Sequence, residues 1–99
     1  MVTTVSHVTL REGAGPEWDQ AMRERLQVVQ ERPGWVGGQV LEPAGDPARR
    51  VVVGTWNSRD DWERWHQDPA FRSTRQRLDE LEVGPRQQLW HEVTVAAQR

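Results

Sequence analysis

An apolar stripe of helical period lies between two runs of strand period, and the same order then repeats, which leaves few folds open to a chain of 99 residues. From Val2 to Leu10 the residues alternate, with Val2, Thr4, Ser6, Val8 and Leu10 on one side and Thr3, Val5, His7 and Thr9 on the other. That predicts a strand with apolar character on both faces. Gly13-Ala-Gly-Pro16 breaks it, and Pro16 suits a first helical turn because its missing N–H would have no partner there anyway. Trp18, Met22, Leu26 and Val29 recur at spacings of four, four and three, which predicts a helix running to about Arg32 with this stripe on a core. Asp19 and Arg23 are spaced to pair on its wet side. After Pro33-Gly34, Trp35 to Glu42 reads as a second strand, whose Gly37-Gly38 marks a bulge, or less often a close approach. The turn residues Pro43-Ala-Gly-Asp-Pro47 lead to a third strand from about Arg49 to Trp56.

The second half repeats this grammar. Ser58 followed by Asp61 is a capping box with Asp in place of Glu, so a helix begins there with Trp62 and Trp65 on its inner face. Asp68-Pro69 caps a second helical segment whose inward stripe is Phe71, Thr74, Arg75, Leu78 and Leu81. Gly84-Pro85 stops it, and Gln87 to Val95 alternates as a final strand. The order strand, helix, strand, strand, helix, strand predicts an α+β, ferredoxin-like βαββαβ sandwich with a four-stranded antiparallel sheet in the order 4-1-3-2. Two helices shield only one face of such a sheet, yet strands 1, 3 and 4 carry apolar residues on both. Each Val or Leu left wet forgoes roughly 1.5–3 kcal/mol of burial, so a homodimer packed sheet to sheet is expected.

Composition narrows the function. A formal net charge of -2 and 28% charged residues describe a soluble globular chain with no overall attraction to nucleic acid. RNA-binding modules of this topology stack bases on aromatics in strands 1 and 3, where this chain has Val5, His7, Val51 and Val53. With no cysteine there is neither a disulfide nor a thiolate nucleophile, and the three histidines lack metal-ligand spacing. The longest aliphatic run, Val51 to Val53, is too short for a membrane span or signal core, so a cytoplasmic location is the default.

Chemistry is expected in or beside Gly54-Thr-Trp-Asn-Ser-Arg-Asp-Asp-Trp-Glu-Arg-Trp-His-Gln-Asp-Pro-Ala-Phe71, which holds three of the six tryptophans. Together with Gly13-Ala-Gly-Pro-Glu17 and Arg32-Pro-Gly-Trp-Val36, this stretch resembles the antibiotic biosynthesis monooxygenase (ABM) superfamily, over nearly the whole chain. The resemblance implies one ABM-like domain over residues 1–99, a dimeric α/β barrel, and a pocket between helices and sheet in each subunit. One branch of the family oxygenates polycyclic aromatic compounds without metal or flavin, and another binds and degrades haem. The haem branch uses a strand-1 asparagine, a helix-2 tryptophan and an axial histidine. Here those positions carry Ser6, Trp65, and Thr74 or Arg75, so only the tryptophan matches. Against the aromatic-polyketide branch, Trp56 and Arg75 match, while Trp62 replaces a tyrosine and Val52 an asparagine.

The resemblance therefore implies a cofactor-independent oxygenase of a polycyclic aromatic or other enolisable small molecule. Haem degradation is the alternative, and a ligand-binding dimer without chemistry is the third reading. In the first, Arg75 interrupts an apolar stripe and steadies the enolate, Ser6 or His66 assists with a proton, and Trp65 walls the pocket. Trp56, Trp62, Phe71, Met22 and Leu26 are the expected substrate contacts, and no metal is expected.

Overall fold

The computed structural model describes residues 1–97. The chain runs β1 (Val2–Thr9), α1 (Gly15–Val29), β2 (Trp35–Leu41), β3 (Arg49–Trp56), α2 (Arg59–Gln67), α3 (Pro69–Leu81) and β4 (Gln87–Glu92). The sheet has the order β2-β3-β1-β4 with every neighbouring pair antiparallel, which is the expected order. Val2 pairs with Trp56, Thr4 with Gly54 and Ser6 with Val52 on one side of β1, and Ser6 pairs with Gln88 on the other. These residues share the face that the helices cover.

The caps act as the sequence predicts. Ser58 Oγ accepts the Asp61 N–H at 3.2 Å, opening α2. Asp68 ends α2 and starts α3, accepting the Ala70 N–H at 2.8 Å and binding Arg32 Nε at 2.7 Å. Gly34 has φ 85°, a backbone that side-chain-bearing residues rarely adopt, and a Cβ there would collide with the Asp61 side chain. The Gly37-Gly38 pair serves both purposes set out above. The β2–β3 register shifts between Trp35 and Gly37, and a Cβ on Gly38 would lie 2.7 Å from the Trp35 indole that covers it.

Three expectations are corrected. α1 ends at Val29 rather than near Arg32, because the N–H groups of Glu31 and Arg32 turn back onto the carbonyls of Val28 and Val29 at 3.1 and 3.0 Å before Pro33. β4 ends at Glu92 rather than Val95, with Glu92 paired to Val2 and a last bond from the Val93 N–H to Met1 O at 3.1 Å. Asp19 binds the buried guanidinium of Arg50 at 2.9 Å instead of pairing with Arg23. A buried cation gains more from a carboxylate than an exposed one does.

The core lies between helices and sheet in two parts. Val8, Leu10, Ala14, Trp18, Ala21, Met22 and Leu78 form one, and Val2, Val29, Trp56, Trp65 and Phe71 form the other. The opposite face of the sheet carries Val5, Val51 and Val53, which are half-buried, and Leu89, which is 58% exposed. Among the described residues, no helix is long and apolar enough to cross a membrane.

Candidate functional site

The second core region is hollow. A chamber of about 90 Å³ lies between the sheet and the helices, lined from the sheet by Thr4, Ser6, Trp35, Val52, Val53, Gly54, Trp56 and Gln88, from α1 by Met22, Arg25, Leu26 and Val29, and from the later helices and β4 loop by Trp62, Trp65, His66, Phe71 and Arg86. A larger cavity of about 490 Å³, within the usual size of ligand pockets, shares Arg25, Trp62, His66, Phe71, Arg86 and Gln88 with it. It continues past Arg75, Leu78, Asp79, Glu82, Gly84 and Pro85. The shared residues make the larger cavity an outer vestibule to the chamber.

Eight residues singled out in the sequence, Ser6, Met22, Leu26, Trp56, Trp62, Trp65, His66 and Phe71, line the chamber together. The period of each element explains why. Alternation turns Ser6 and Trp56 to the helix side of the sheet, while the helical stripes turn Met22, Leu26, Trp62, Trp65 and Phe71 toward it. The aromatic rings touch in sequence. Trp56 and Trp65 have centroids 6.3 Å apart, Trp65 meets Phe71 edge-on at 5.8 Å, and Trp62 meets Trp90 edge-on at 4.5 Å.

His66 is held between Trp62 and Phe71, with ring centroids 3.7 and 4.1 Å away. Its Nδ1 lies 2.9 Å from the Trp62 carbonyl oxygen. A carbonyl can only accept, so Nδ1 carries the proton, and the neutral ring keeps its lone pair on Nε2. Burial pushes the imidazole below its ordinary pKa, the Trp62 carbonyl opposes this, and the charges of Arg25, Arg75 and Arg86 add to the depression. Among the described residues no buried side-chain nitrogen or oxygen lacks a partner. His66 Nε2 and Ser6 Oγ have none among the described residues and therefore keep accessible surface, on residues that both line the chamber.

Arg75 is the ninth residue, and the structure corrects its expected direction. Its side chain is 61% exposed and lies 3.7 Å from Asp79 at the vestibule rim, outside the chamber. The buried positions of α3 are Phe71, Thr74 and Leu78, so Arg75 sits on the flank of that stripe and its long stem carries the charge to water.

The inward-facing guanidinium is Arg25, which the sequence reading missed. It is only 6% exposed, donates from Nε to Thr74 Oγ1 at 2.9 Å and from Nη2 to the Phe71 carbonyl at 3.2 Å, and stacks 4.2 Å over the Phe71 ring. Burial lowers its pKa to about 10, with Arg86 and Arg75 adding to the depression against Glu82 and Asp79, so it stays cationic at neutral pH. A signal was present. Arg25 falls three residues after Met22 and four before Val29, inside the apolar stripe of α1.

Glu82 organises the far wall. Its carboxylate accepts the indole N–H of the fully buried Trp18 at 2.9 Å and two bonds from Arg86 at 2.8 and 2.7 Å. Burial pushes its pKa up, but these donors outweigh the effect and hold it below the usual carboxylate value. No group of three or more metal-ligating side chains occurs among the described residues.

The family model for antibiotic biosynthesis monooxygenases matches residues 1–77, and the chain belongs to that family. It is 32% identical over 70 residues to the heme oxygenase (mycobilin-producing) of Mycobacterium tuberculosis, covering 71% of this chain and 67% of that protein. Its fold resembles that of SnoaB, a cofactor-independent oxygenase from Streptomyces nogalater, with a TM-score of 0.86 at 19% identity over 99% of this chain and 97% of that one. Rv0793 from Mycobacterium tuberculosis is equally similar in fold, with a TM-score of 0.87 at 16% identity over 98% of each chain.

The haem reading meets an obstacle at its ligand positions. Thr74 is buried with its hydroxyl engaged twice, accepting from Arg25 and donating to the Phe71 carbonyl at 3.1 Å. Arg75 points outward as a cation. Neither offers a neutral imidazole to iron, so the positions that the resemblance assigns to an axial histidine carry none here.

Proposed function

We propose that this protein is a cofactor-independent monooxygenase of an enolisable, fused-ring aromatic molecule. The observation that carries the reading is the pairing of an indole-walled chamber with a neutral imidazole whose Nε2 has no partner among the described residues. Trp56, Trp62, Trp65 and Phe71 face the planar rings, and Met22 and Leu26 close the α1 side. His66 Nε2 takes a proton from the methylene carbon that is conjugated through the rings to the substrate carbonyl. The Ser6 hydroxyl donates to the enolate oxygen that forms, and the positive field of Arg25 and Arg86 favours its charge, a task the sequence had given to Arg75.

The carbanion passes one electron to dioxygen, and the substrate radical and superoxide combine to a peroxide that is protonated by the imidazolium. Loss of the second C–H proton with hydroxide leaves a ketone and water, so a methylene and one dioxygen give one carbonyl and one water. The dry aromatic wall keeps bulk water from quenching the carbanion.

In this proposal residues 1–99 form one cytoplasmic domain that works as a homodimer, with Val5, Val51, Val53 and Leu89 as the sheet-to-sheet contact. The test is oxygen uptake by haem-free protein with an anthrone. Uptake that is lost in His66→Gln supports the proposal. Absence of uptake, with a stoichiometric Soret shift on haem titration, would move the chain to haem chemistry. Neither signal would leave a binding protein.

A further inference from the structure

The charge balance of the pocket goes further and, resting on the reading above, narrows the class of substrate. Arg25, Arg75 and Arg86 face the vestibule against only two carboxylates, Asp79 and Glu82. Arg75 is paired with Asp79 and Arg86 with Glu82, whereas Arg25 has no carboxylate within ion-pair distance among the described residues. A guanidinium has five N–H donors, and Arg25 spends two of them on Thr74 and Phe71. Among the described residues its Nη1 has no hydrogen-bond partner, and because none of their buried side-chain nitrogens is left unsatisfied, Nη1 keeps accessible surface, on a residue that lines both chamber and vestibule.

A cation held more than nine-tenths out of water without a counter-charge is costly, and an anion in the pocket removes that cost. The plane of the guanidinium is already fixed by the Phe71 ring beneath it and by two bonds to α3. Its free edge therefore meets a planar, bidentate acceptor without further ordering.

We propose that the pocket takes its substrate as an aromatic carboxylate, with the rings against the indoles and the carboxylate on the free edge of Arg25. One negative charge neutralises the single excess positive charge. A neutral amide leaves it uncompensated, and a dianion overshoots it. With Arg25 engaged in this way, the enolate oxygen relies on Ser6 and the field of Arg86.

The test is equilibrium binding without turnover, read by quenching of the tryptophan fluorescence, with anthraquinone-2-carboxylate against anthraquinone-2-carboxamide. The acid is expected to bind about 10- to 100-fold more tightly, the usual worth of hydrogen bonds to a charged group. In Arg25→Gln the preference falls to near one, and in Arg25→Lys, which keeps the charge but not the fork, part of it survives. Equal binding of acid and amide by the unmodified protein overturns the proposal, as does a preference that persists in folded Arg25→Gln. Should Arg25→Gln fail to fold, the unmodified protein and Arg25→Lys decide the matter alone. Because no oxygen is consumed, failure here is distinct from failure of the oxygenase reading, which oxygen uptake reports separately.

Discussion

Replacing Glu82 by Ala should damage the protein through one indole more than through one ion pair. Trp18 is completely buried and its only hydrogen-bonding group donates to Glu82 at 2.9 Å, so the variant strands an N–H in the core at a cost of about 1–3 kcal/mol. Arg86 also loses two short bonds, but its side chain is 28% exposed and water recovers most of them, which limits that part to about 0.2–1 kcal/mol. A total of about 1–4 kcal/mol corresponds to a Tm lowered by about 5–30 °C in a domain of this size. Thermal unfolding by near-UV circular dichroism gives the shift, and Trp18→Phe supplies the internal control. Phenylalanine has no N–H to strand, so Glu82→Ala in that background should cost only about 1 kcal/mol or less. Equal losses in both backgrounds, or a Tm shift of under about 3 °C in the single variant, would refute the reasoning. The pH dependence has a fixed sign. A carboxylate with a lowered folded pKa contributes its full stability above the ordinary carboxylate range and loses it as pH falls through the folded value, so the gap between parent and variant should narrow in acid.

Three further outcomes follow from other parts of the molecule. Gly38→Ala puts a Cβ 2.6 Å from the Val53 carbonyl and 2.7 Å from the Trp35 indole, and should cost about 1–3 kcal/mol by chemical denaturation. Under the proposed sheet-to-sheet pairing, light scattering should report a dimer for the parent and a monomer for Leu89→Arg, with the helix-covered side, and hence the circular dichroism spectrum, unchanged. His66 is depressed by burial and neighbouring guanidiniums, so its neutral form is favoured in the folded state. Stability should fall as pH drops from the ordinary imidazole range toward the lower folded value, the oxygenation rate of the parent should fall as pH passes that folded value, and His66→Gln should remove the stability effect.

Much of this was legible before any coordinates. Caps and turn residues act within a few positions of themselves, which is why Ser58, Asp68 and Pro33-Gly34 are read correctly from sequence alone. Strict periods, too, settle which residues share a face, so the walls of the chamber follow once β1, α1 and α2 are set in order. Long charged side chains are different. Arg75 and Arg25 both fall at or beside an apolar stripe, and the angular offset of about 100° between successive helical residues decides which one turns inward. That offset depends on which neighbouring positions, Thr74 or Arg75, the facing helix covers, and only packing of α3 on α1 fixes it. Strand ends behave similarly, since β4 stops at its pair with Val2 of β1 rather than where its own alternation ends.

The central claim is that this pocket inserts oxygen into a carbanion without a cofactor. Chelator-treated, haem-free protein incubated with an anthrone under ¹⁸O₂ should yield a quinone carrying one labelled oxygen, with the second label recovered in water, and His66→Gln should yield none above the buffer control. Product whose new oxygen comes from solvent, or formation that requires added haem, would contradict the account.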